Sequence, residues 1–61
     1  MKVVMGLVFL TREYEPIKIT GYSKDKDYPL LGDNNEFYDE EGFAKNDPSN
    51  DLLVPHRENN L

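Results

Sequence analysis

The stretch Ile17-Lys18-Ile19-Thr20-Gly21-Tyr22 opens by alternating apolar and polar side chains. A period of two marks a strand with one face on a core, so both isoleucines should point inward. Upstream, residues 3–10 form a continuous β-branched and aromatic run, suited to a first strand covered on both sides. Downstream, residues 28–32 read as a third strand whose proline-containing start belongs on an edge or at a bulge. Asp33-Asn34-Asn35 is turn chemistry, residues 36–38 make a short fourth strand, and Asp39-Glu40-Glu41-Gly42 turns again. Leu52-Leu53-Val54 closes as a fifth strand, stopped by Pro55.

Glycine or proline at positions 6, 16, 21, 29, 32, 42, 48 and 55 interrupts every window long enough for a helix except 33–41. There the apolar residues Phe37 and Tyr38 are adjacent, not three or four apart. Asp47 before Pro48 reads as a cap followed by a first helical position, so residues 46–50 are expected to be a loop or a single helical turn, the chain's helix being limited to at most that turn. Five short strands within residues 1–55 can bury one small core by curling into a partly open antiparallel barrel. The expected fold class is therefore all-β. Of the two common small barrels the chain is short for the oligonucleotide-binding type, which leaves the Src-homology-three-like one. Residues 56–61 carry no packing signal and are expected to be a flexible C-terminal tail.

Composition narrows the function. The chain has 61 residues, and a chain this short buries only about 60% of its unfolded surface. It has no cysteine and one histidine, which leaves neither a disulfide nor an ordinary zinc site. Twelve acidic against seven basic residues give a net charge of −5 and a pI near 4.6. Direct nucleic-acid binding needs a cationic face and is not expected. Met1-Lys2 and the apolar run outline a signal peptide, but the run contains Gly6 and leads into Thr11-Arg12-Glu13 without a small-residue cleavage site. It is also too short to span a bilayer. A cytoplasmic protein without a membrane role is expected.

Leu10-Thr11-Arg12-Glu13, Ile17-Lys18-Ile19, Asp27-Tyr28-Pro29-Leu30-Leu31-Gly32, an aromatic pair before Asp39-Glu40-Glu41-Gly42, and Asn50-Asp51-Leu52 follow one another in that order. In this the chain resembles small proteins encoded by bacteriophages, prophages and similar mobile elements, over residues 10–54. The resemblance implies a Src-homology-three-like barrel and an accessory role in the host cytoplasm. It carries no catalytic residue across. Tyr14 stands where that pattern has glycine, so a longer first turn is expected.

Charge is the strongest bias. Residues 33–51 hold Asp33, Glu36, Asp39, Glu40, Glu41, Asp47 and Asp51 against Lys45 alone, net −6, beside a nearly neutral remainder. Such a stretch reads as a solvated hairpin, as a mimic of a phosphate backbone, or as oxygen ligands for a cation. The calcium-loop pattern fails, because Asp39-Glu40-Glu41 precedes Gly42 without alternation. Tyr14, between Glu13 and Glu15, and Tyr22 and Tyr28, flanking the Lys24-Asp25-Lys26-Asp27 loop, are candidate contact residues. A proline-rich ligand is disfavoured, because the groove that takes one depends on a tryptophan and the chain has none. Ser23, Ser49 and a histidine in the tail supply no oriented nucleophile. The reading is a non-enzymatic protein-interaction module without cofactor or metal, centred on Tyr14, Tyr22, Tyr28, Asp39, Glu40 and Glu41. Its alternative is an acidic inhibitor that mimics nucleic acid at a target's binding site. The partner is another protein, with weak self-association also open.

Overall fold

The computed structural model describes residues 1–60. Five strands run β1 (Val8–Thr11), β2 (Pro16–Tyr22), β3 (Leu30–Gly32), β4 (Phe37–Tyr38) and β5 (Leu52–Pro55). They hydrogen-bond in the order β4-β3-β2-β1-β5, every neighbouring pair antiparallel. The chain is a curled, partly open all-β barrel of Src-homology-three-like type, whose only helical pieces among the described residues are two 3-10 turns. No described helix is long and apolar enough to cross a membrane.

Ile17 and Ile19 are both buried while Lys18 and Thr20 are exposed, as the alternation requires. With Phe9 from β1, Leu30 from β3, Tyr38 from β4, Leu52 from β5 and Val3 they form the core. Gly32 lets the layers close. A Cβ there would lie 2.8 Å from Ile17 Cγ2 and 3.0 Å from Tyr38 Cε2. Thr20 on β2 and Leu53 on β5 are each an extra residue between paired neighbours, so the β2–β3 and β1–β5 ladders each carry a bulge that sharpens the curl.

The first strand is shorter than the apolar run suggests. Gly6 adopts φ +90, which breaks the run into two pieces. Ile19 then holds both sides of the break: its carbonyl accepts the Gly6 N–H at 2.8 Å and its own N–H donates to Leu7 at 3.0 Å. Val3 lies across the core and donates to the Glu40 carbonyl at 2.8 Å. The third strand likewise starts at Leu30, because Asp25 Oδ1 accepts the N–H groups of Asp27 and Tyr28 and holds those residues in the loop.

Asp47 caps the 3-10 turn Pro48–Asn50, accepting the Ser49 N–H at 3.0 Å. Beyond Pro55 a second 3-10 turn covers Arg57–Asn60. Here Asn59 acts as a side-chain strand partner: its Oδ1 accepts the Val8 N–H at 2.9 Å and its Nδ2 donates to the Val8 carbonyl at 2.6 Å.

Candidate functional site

The six residues singled out by sequence divide between different parts of the molecule. Tyr14 sits at the tip of the β1–β2 turn with φ +60, three-quarters exposed. Thr11 builds that turn, its Oγ1 accepting from Glu13 and Glu15 and its carbonyl from Tyr14. Tyr22 closes the other end of β2. Six strand steps from Pro16 to Tyr22 are about 20 Å, so Tyr14 and Tyr22 serve different surfaces.

Tyr22 is 70% exposed and stands at a groove of about 200 Å³. Val3 and Leu30 give this groove its buried lining, and Val4, Met5 and Pro29 its outer apolar surface. Lys2 and Glu40 are its only charges. Residues 1–5 come here because the Val3 N–H is fixed to the Glu40 carbonyl, which pins the chain start beside the 39–42 turn. Tyr28, half-buried, precedes the groove residue Pro29 but does not line the groove. Its loop is tied down by Lys45, whose Nζ lies 2.8 Å from Asp25 Oδ2. That pair, with hydrogen bonds from Asp27 and Tyr28, lowers the Asp25 pKa and raises that of Lys45.

Asp39 turns inward to its own hairpin, Oδ1 accepting from Glu41 and Phe43 at 2.9 Å each. Glu41 is exposed, 3.9 Å from the N-terminal amine. Of the six candidates the structure brings Tyr22 and Glu40 together at the groove, while Tyr14, Tyr28, Asp39 and Glu41 do not line it.

The acidic stretch is not one charged face. Asp39 and Asp47 accept backbone N–H groups within their own turns, and Asp33 accepts the Lys18 N–H of β2. Glu36 and Asp51 are buried. Among the described residues, only the carboxylates of Glu40 and Glu41, of the seven, accept no hydrogen bond from the chain. Glu36 takes four: Asp47 N–H and Asn50 Nδ2 on Oε1, Phe37 N–H and Asn46 Nδ2 on Oε2. Burial alone would raise its pKa, but these donors outweigh burial and hold it below the ordinary glutamate value. Tyr38 donates to the Asn50 carbonyl at 2.9 Å, accepts from Asn34, and has its pKa raised by burial. Sequence reading missed Glu36 and Asp51 as structural groups. The signal for Glu36 was the run Asn46-Asp47-Pro48-Ser49-Asn50, a turn rich in donors that needs an acceptor beneath it.

The groove offers apolar contact, a phenol, one cation and one carboxylate, which suits a protein side chain better than a reacting group. No group of three His, Asp or Glu residues among the described ones is arranged to hold a metal. Comparison with protein-family models, with curated proteins and with solved structures finds no match to this chain.

Proposed function

We propose that this chain is a non-enzymatic protein-interaction module that engages another protein through the Tyr22 groove. The observation that carries it is Tyr22, 70% exposed beside the exposed Val4 and Met5 over an apolar recess. Amphipathic, rigid tyrosine at the mouth of an apolar recess is the usual chemistry of a contact anchor. The resemblance to small phage and mobile-element proteins supplies the setting, an accessory protein acting on a host or phage protein in the cytoplasm. The alternative, an acidic inhibitor imitating nucleic acid, draws less support. Five of the seven carboxylates in residues 33–51 accept hydrogen bonds inside the fold, which leaves Glu40 and Glu41 as a thin imitation of a phosphate row.

Affinity capture from the native host at low and high salt separates the readings. The apolar contact predicts a partner retained at high salt and lost with Tyr22→Ser or Met5→Ser. A partner lost with Glu40→Gln plus Glu41→Gln, and lost by the wild type as salt rises, would overturn it in favour of the charged alternative.

A further inference from the structure

Residues 46–50 cross the barrel without burying a single side chain. Their attachment to the sheet is polar throughout. Asn46 Nδ2, Asp47 N–H and Asn50 Nδ2 all reach the Glu36 carboxylate, at 2.8, 3.1 and 3.1 Å. The Asn50 carbonyl takes the Tyr38 hydroxyl. The bonds within the segment, from Ser49, Asn50 and Asp51 to Asp47 and Pro48, are local and travel with it. Both ends are anchored independently, because Asp51 Oδ1 accepts the Ala44 N–H at 2.7 Å.

We propose that residues 46–50 form a polar strap, latched by Glu36 and Tyr38, that opens as a unit while the barrel beneath it stays folded. Segments with few apolar contacts and solvent-facing hydrogen bonds open at lower free energy than the core they cover. The Ala44–Asp51 bond closes the base of the strap, so opening need not disturb Leu52 or β5. Opening bares the Glu36 carboxylate and the Tyr38 hydroxyl, two groups otherwise enclosed. Acid releases the latch, because a protonated Glu36 presents an O–H where a donor already sits. The ionisable groups around the cluster are Asp47 on the strap, Asp51 at its end, Tyr38 on β4 and Asp33 in the turn before it. Arg12 is paired with Asp51, and no cation is among the partners of Glu36.

Amide hydrogen exchange on the full chain tests this. Glu36→Gln puts an NH2 group against the donors of the strap. It should speed exchange at the Asp47 amide, which bonds the latch directly, about tenfold or more, with the Ile19 amide changed less than about twofold. If Glu36→Gln does not fold, the wild type compared at about pH 6 and about pH 3, corrected for intrinsic exchange, gives the same readout. Equal acceleration at Asp47 and Ile19 would show that the strap opens only with the whole barrel. No acceleration at either would show that Glu36 is not the latch.

Discussion

Oδ1 of Asp51 accepts the N–H of Ala44 at 2.7 Å, and Oδ2 of the same carboxylate faces the Arg12 guanidinium at 3.4 Å. One buried side chain thereby ties the return arm after β4 to the entry of β5 and to the end of β1. Asp51→Ala orphans the Ala44 donor and should cost about 1–3 kcal/mol. Arg12→Ala should cost less than about 1 kcal/mol, since the guanidinium is more than half exposed. Urea denaturation of both variants decides the matter; equal losses would mean that the ion pair, not the hydrogen bond, holds the junction.

Ile19 is fully buried and hydrogen-bonds both sides of the Gly6 break. Ile19→Ala should cost about 2–5 kcal/mol. A core of this size rarely supplies more than roughly 3–5 kcal/mol in all, so the variant should be largely unfolded at room temperature. A melting temperature within a few degrees of the parent would remove Ile19 from the core.

The hairpin acids should behave differently from one another. Asp39→Ala removes the acceptor of two backbone N–H groups and should cost about 1 kcal/mol. Glu40→Gln and Glu41→Gln should each stay within about 0.5 kcal/mol of the parent. Thermal melts of the three single variants check this; a loss at Glu40 or Glu41 as large as at Asp39 would contradict the turn geometry.

Acid sensitivity should centre on Glu36. Its folded pKa is lowered, because hydrogen bonds from Asn50, Asn46, Phe37 and Asp47 overcome a burial that by itself would raise it. A carboxyl of that kind contributes stability that is fully present above its unfolded value, and the contribution fades as pH falls through the folded one. Stability should therefore hold level around neutral pH and decline as pH falls through and below the ordinary glutamate range, about 4.3. Asp25 and Asp47, also lowered, act in the same direction from the surface. Melting at constant ionic strength across this window should show the decline, with a shallower slope in Glu36→Gln. Parallel slopes would place the acid-labile group elsewhere.

The alternation at Ile17 and Ile19, the Asp47-Pro48 cap and the turn at Asp39 were legible because each depends on neighbours in sequence. Val3 and Asn59 were not. Val3 leaves the first strand because Gly6 turns the chain, and a glycine within an apolar run can equally sit inside a strand. Asn59 completes a ladder that begins 51 residues earlier, at Val8. Glu36 was hidden for a related reason: charge counting treats every carboxylate as solvated, while three of its four donors come from residues ten or more positions away. The groove was half visible, since Tyr22 and Glu40 were candidates but nothing local joins residues 1–5 to either.

The bulge at Leu53 and the proline at position 55 give the outermost strand a second significance. Leu53, Val54, Phe43 and Met1 are large, apolar and open to water on a chain of very small core. A molecule so furnished is a candidate for fibre growth, in which copies add strand to strand through unpaired N–H groups. On β5 that template is spoiled. Leu53 stands out of register, Pro55 has no donor, and the Leu52 N–H is already given to the Gly42 carbonyl at 2.8 Å. An arriving strand would meet a ladder with missing rungs, which works against growth strand to strand along β5.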